Sequence, residues 1–150
     1  MSFASDVAKW AKLTDTGIGD TVRAVCLGIT KEVVERTPVG NPEKWQNPEA
    51  APPGYVGGRL RGNWFATIGS PSGRVTNDKD ASGEATKERA SGSIKDAPGT
   101  WWWITNNVPY AIPVEYGHSQ AQAPAGMVRI TVENVKANFR KAVRDNEPKF

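Results

Sequence analysis

Cysteine and histidine are nearly missing from this chain of 150 residues, in which Cys26 and His118 stand alone. A single thiol excludes a disulfide within the chain, and one Cys with one His falls short of the three or four ligands that a zinc site takes. No apolar run approaches the roughly 18 residues that a membrane span needs. Met1–Trp10 lacks the charged start and apolar stretch of an export signal. These absences predict a reducing cytosolic setting, with neither cofactor nor membrane partner. Charge of one sign is scarce too. The 19 basic and 16 acidic residues leave a net +3, spread over both halves of the chain. A dedicated nucleic-acid binder gathers its bases into a stripe, so only weak attraction to polyanions is expected.

Glycine and proline are plentiful, at 15 and 11 residues, and so is tryptophan, with six, three of them consecutive. The apolar share of 38%, before glycine is counted, excludes a wholly disordered chain. The length predicts one domain over 1–150, large enough to fold without staples.

Apolar spacing predicts helices over 3–37. Phe3, Val7 and Trp10 form a short first face, Gly17 and Gly19 interrupt it, and Val22, Val25, Cys26, Ile29 and Val33 form a stronger second one. Thr37-Pro38 ends it, because the residue before proline is pushed out of the helical region. Residues 38–58 read as an ordered loop anchored by Trp45 and Tyr55. The alternation of Leu60, Trp64, Ala66 and Ile68 predicts a strand over 59–68. Residues 69–99 hold Val75 and Ile94 as their only large apolar side chains, which predicts a solvated polar arm or long hairpin that either moves or docks. A turn or two of helix fits 85–90. Trp101-Trp102-Trp103-Ile104 predicts a second strand, with Trp101 and Trp103 on one face and Trp102 and Ile104 on the other. Asn106–Pro109 reads as a turn, and Tyr110–Tyr116 as a short irregular or helical stretch stopped by Gly117. Val128, Val132, Val135, Phe139 and Ala142 mark a C-terminal helix within 106–145. The expected class is α+β: a small antiparallel sheet packed against an N-terminal and a C-terminal helix.

Candidate chemistry is thin. Cys26 and His118 would make a nucleophile and a base, but Cys26 falls on an apolar helix face, where a thiol behaves as a small hydrophobe. Glu115 and His118 flank Tyr116 without a second His or a converging carboxylate. Gly54, Gly57 and Gly58 neither follow a strand nor open a helix, as a phosphate cradle requires. Arg59 and Arg61 beside Trp64 suggest a modest nucleic-acid-binding surface. On a strand, though, alternate bases are more often simply the wet face.

Five segments in order carry a resemblance. They are Glu35-Arg36-Thr37-Pro38-Val39, Gly58-Arg59-Leu60-Arg61-Gly62-Asn63-Trp64, Asn106-Asn107-Val108-Pro109-Tyr110-Ala111, Val114-Glu115-Tyr116-Gly117-His118-Ser119 and Ala123-Pro124-Ala125-Gly126-Met127-Val128. Together they resemble the tail-completion family of long-tailed bacteriophages, minor virion proteins of the neck or head–tail connector. Even Ser82-Gly83-Glu84-Ala85-Thr86 resembles the place where that family carries a variable hairpin or short helix, while the tryptophan run is richer in aromatics than its pattern. The resemblance implies a small α+β subunit, without catalytic residues, that forms a ring, expected to be six-fold, in the neck of the virion. Its partners would be further copies of itself, the head-connector or stopper protein, the tail-terminator or tail-tube protein, and DNA in passage. A head-to-tail ring needs two different patches on each subunit. The candidates for the apolar one are Trp101, Trp102, Trp103, Tyr110, Tyr116 and Met127, with the polar arm reaching a neighbour. A small cytosolic enzyme and a nucleic-acid-binding module stand as alternatives.

Overall fold

A computed structural model describes residues 3–95, 101–117 and 119–145. The N-terminal region is one helix, α1 (Phe3–Arg36), not two. Gly17 and Gly19 each cost about 1 kcal/mol of helix propensity but do not break it. The side chains of Phe3, Val7 and Trp10 lie outside the described ones. Thr37 ends the helix as expected, its hydroxyl donating to Val33 O at 2.6 Å. Two 3-10 turns, Pro42–Lys44 and Pro48–Ala50, then order the loop, and Trp45 meets Tyr55 edge to face with centroids 5.0 Å apart.

The expected strand over 59–68 divides in two. Its first part is a single helical turn, α2 (Arg59–Gly62), and only Phe65–Ile68 is strand, β1. Leu60 and Trp64 are four residues apart, a spacing that strand and helix share, so alternation could not separate the two. Gly58 decides it. It starts the turn at φ 109°, and a Cβ there would stand 2.7 Å from Ala81 N. After β1 comes α3 (Glu84–Ser93), then β2 (Trp102–Thr105), antiparallel to β1 with Thr67 opposite Trp103 and Ile68 opposite Trp102. A short α4 (Ala111–Glu115) and the long α5 (Val128–Asp145) complete the order. The fold is α+β, helices around a small antiparallel sheet.

Two apolar clusters share α1. Toward its C-terminal end, Val33 and Val34 pack with Leu60, Trp64, Val108, Ala111 and Met127. Nearer its middle, Cys26 packs with Ala66, Ala90 and Ile94, and Trp102 leans on them. Asn134 of α5 donates to Glu32 of α1 at 2.7 Å. Burial of this apolar surface at roughly 25 cal/mol per Å² is what gathers the helices round the hairpin.

The polar segment docks, and it docks on its own chain. It is the long connection of the β1–β2 hairpin, and α3, longer than the turn or two expected at 85–90, covers β1 and α1. Ala90 and Ile94 of this segment are core residues. A lone isoleucine in a polar stretch predicts little by pattern, because one residue has no period.

Candidate functional site

Cys26 and Glu115, two of the groups that suggested chemistry, are engaged within the fold. Cys26 is buried, and burial pushes its thiol above the ordinary value, against a smaller opposing effect of its backbone hydrogen bond. That is the setting of a packed, unreactive thiol. His118 lies outside the described residues. Among the described residues no group of three His, Cys, Asp or Glu side chains could hold a metal ion.

Glu115 closes α4 and caps α5 from twelve or more residues upstream. Oε2 accepts from Met127 N at 2.7 Å and Val128 N at 2.8 Å, and Oε1 from Arg129 N at 2.9 Å. Burial alone would raise this carboxyl. The N–H groups of Val128, Arg129 and Met127 and the Arg129 side chain outweigh it, and the group lies below the usual range. Gly126, at φ 82°, permits this approach, since a Cβ there would be 2.5 Å from Glu115 O. The usual search for a cap looks for Ser, Thr, Asp or Asn just before the helix. Ala125-Gly126-Met127 offers none, so the residues beside the helix carry no local sign of Glu115's part.

Two members of the suggested nucleic-acid surface, Arg61 and Trp64, are engaged within the fold. Arg61 donates to Thr37 O at 2.7 and 3.0 Å and to the carbonyls of Glu35 and Ala81. Trp64 is buried, its Nε1 donating to Thr37 Oγ1 at 2.7 Å. Arg59 is half-buried and donates from Nε to Thr76 O at 3.2 Å.

Of the interface candidates, Met127 is corrected outright. It is 1% exposed in the core of its own subunit and cannot meet a neighbour. Its side chain follows the Glu115 cap inward. Trp102 is half-buried against Ala90 and Ile94, as the inward-facing residue of β2 must be. The remaining four are exposed. Trp101 is 78% and Trp103 38% exposed, on the outer face of the hairpin as the alternation predicted. Trp103 is steadied by Nε1 donating to Gly69 O at 3.2 Å. Tyr110 and Tyr116 flank α4, and Tyr116 is 73% exposed with the Arg129 guanidinium 5.1 Å above its ring.

Sequence reasoning missed a second apolar surface. On α5 Thr131 is buried and the half-buried Asn134 bonds to Glu32 of α1. Val128, Val132 and Phe139 lie within about 40° of one another and roughly 80° round the helix from Thr131, and all three are exposed. Three members of the stripe whose spacing revealed the helix are therefore exposed, while Val135 is half-buried. Ile112, 71% exposed on α4, and Tyr116 through Arg129 adjoin the start of the same helix. Exposed apolar area concentrated in this way marks interaction surfaces.

The rim of a groove of about 510 Å³ is formed by the loop at 38–60 and the segment 110–122. Comparison of the chain with protein-family models, with curated proteins and with solved structures finds no match.

Proposed function

We propose that this protein is a structural subunit of the bacteriophage neck, of the tail-completion type. Copies form a ring, expected to be six-fold, that joins the head connector or stopper to the tail terminator or tail tube. DNA passes through the ring without being gripped. The subunit assembles in the host cytoplasm and resides in the virion.

One observation carries this reading beyond the sequence resemblance: the subunit exposes two separate apolar surfaces on different elements. Trp101 and Trp103 stand on the hairpin, while Ile112, Tyr116, Val132 and Phe139 stand on α4 and α5. A closed head-to-tail ring requires two unlike patches of this kind, because each interface joins one patch to the other. Aromatic anchors are the usual carriers of such interface energy. The modest net charge suits a channel through which DNA slides, since many phosphate contacts would hold it. The nucleic-acid-binding alternative gains nothing from Arg61 and Trp64, which are spent inside the fold.

Imaging purified phage particles with an antibody to this chain tests the proposal, alongside the native mass of the isolated protein. Label at the head–tail junction and a ring-sized mass, or a monomer that becomes a ring only in the particle, is the expected result. Particles that join heads to tails normally without the chain would overturn it.

A further inference from the structure

The groove between residues 38–60 and 110–122 has a chemistry of its own. Its volume, about 510 Å³, falls within the roughly 300–1,000 Å³ of ligand sites. Trp45, Tyr55 and Tyr110 supply aromatic wall, and Lys44 and Arg59 supply positive charge. Among the described residues no Asp or Glu lines it, and neither cation meets a carboxylate. The wall is fixed rather than loose. Trp45 and Tyr55 pack edge to face with planes 69° apart. Gly40 lets the Tyr55 ring lie against the backbone, where any Cβ would collide with the hydroxyl. Across the groove, Gln122 is anchored by donating to Val39 O at 3.0 Å.

We infer that this groove binds an extended acidic segment of a partner protein, its carboxylates meeting Lys44 and Arg59 and its apolar residues resting on Tyr55 and Tyr110. Charge complementarity selects the occupant: two cations that, among the described residues, have no carboxylate partner call for an anion. The form of the wall selects a peptide over a nucleic acid. Stacking bases need open ring faces and a track of phosphate-binding cations, whereas here Trp45 and Tyr55 turn face to edge and the nearby Arg61 is tied to carbonyls. Aromatic-lined grooves with amide side chains are a recurrent way to hold proline-containing extended peptides, which are already ordered before binding. The site is separate from the hairpin and α5 surfaces and does not rest on the ring proposal.

Fluorescence anisotropy of a labelled decapeptide of alternating Glu and Pro, with the full-length protein at low salt, tests the inference. Saturable binding is expected, with a decapeptide of alternating Lys and Pro failing to bind. Lys44→Glu, a substitution at an exposed side chain, should weaken binding roughly ten-fold, and Arg59→Gln by a similar factor. Absence of saturable binding by the acidic peptide overturns the inference, as does binding indifferent to Lys44→Glu. A labelled ten-nucleotide thymidine strand that binds more tightly than the peptide, and loses affinity with Lys44→Glu, overturns it in favour of nucleic acid.

Discussion

The polar excursion after β1 and the tryptophan run that follows it exchange the positions their compositions suggest. The run Trp101-Trp102-Trp103 is among the most apolar stretches of the chain, yet two of its three indoles face solvent. The excursion, rich in Ser, Gly, Asp and Lys, is bound down along most of its length. Asn63, fully buried, is its nail: Nδ2 donates to Arg59 O at 2.7 Å and Thr76 O at 3.1 Å, and Oδ1 accepts from Thr76 N at 2.8 Å. Asp80 takes in Gly83 N at 2.9 Å and both Thr86 N and its hydroxyl at 2.8 and 2.7 Å, starting α3. Arg89 then reaches Gly62 O and Trp64 O at 2.8 and 2.9 Å with its guanidinium 4.4 Å from the Phe65 ring centre. Hydrophobic transfer ranks side chains by their appetite for burial, but a backbone segment is held wherever its polar groups are satisfied. A polar segment with the right partners docks. Trp101 and Trp103, for all their apolar area, stay exposed.

Asn63→Ala should break the comparison most forcefully. It strips the partners from Thr76 N–H and from the carbonyls of Arg59 and Thr76, and each buried group left unpaired costs roughly 1–3 kcal/mol. The expected loss is about 3 kcal/mol of unfolding free energy, measured by urea denaturation. Hydrogen exchange should show the 72–82 stretch losing protection before α3. A loss below about 1 kcal/mol would mean that the excursion is held by Ala90 and Ile94 alone.

Glu115→Gln comes next, at about 2 kcal/mol, since a remote cap worth roughly 1–2 kcal/mol is replaced by an amide that turns donors toward donors. The pH dependence adds a sign. Burial would raise the Glu115 carboxyl, but three backbone N–H groups and Arg129 hold it below the usual value. The same balance applies at Asp80, where burial is outweighed chiefly by the Thr86 hydroxyl and N–H. A carboxyl depressed in the folded state contributes stability that is fully present above its unfolded pKa, near 4.3 for Glu and 3.9 for Asp. That contribution is lost as pH falls through the folded value. Acid unfolding of the wild type should therefore steepen below about pH 4, and Glu115→Gln should flatten that limb. An unchanged acid limb would show that the cap is not ionised in solution.

Much of this arrangement was legible in the residues, and the illegible parts share a cause. Periodicity placed α5, whose apolar side chains share one register, while the aromatic run's preference for a pleated surface placed β2 and Pro38 marked the end of α1. Periodicity failed at 59–62, where Leu60 and Trp64 satisfy two periods at once, and at α3, where the only large apolar side chain is Ile94, one residue past the helix. The inward and outward sides of the tryptophan run followed from alternation alone. Met127 is in the core, with its N–H held by Glu115 twelve residues upstream, a pairing that no local pattern announces. The α5 stripe was visible as a helix signal, but a signal for amphipathicity does not say which neighbour covers it.

Trp101→Ala brings the smallest effect on the subunit and the sharpest on the comparison. A side chain 78% exposed has little burial to lose, so unfolding free energy should move by less than about 0.5 kcal/mol. Trp103→Ala should cost somewhat more, because Trp103 is less exposed and loses its bond to Gly69 O. If the run is exposed in order to be covered by another copy, self-association, followed by sedimentation over a range of concentrations or by incorporation into particles, should fall steeply for Trp101→Ala while stability holds. Val132→Asp on α5 should act in the same way, as the other half of the same joint. Mixing the two variants then distinguishes a head-to-tail contact from a symmetric one. A Trp101→Ala subunit keeps a sound α5 surface and a Val132→Asp subunit keeps a sound hairpin, so a head-to-tail pair of the two should form, but without closing into a ring. Recovery of pairs without rings is the expected pattern. Equal and full association of each variant alone would leave the tryptophans as exposed surface with no partner, and the inversion of polar and aromatic regions would then be a property of this fold by itself.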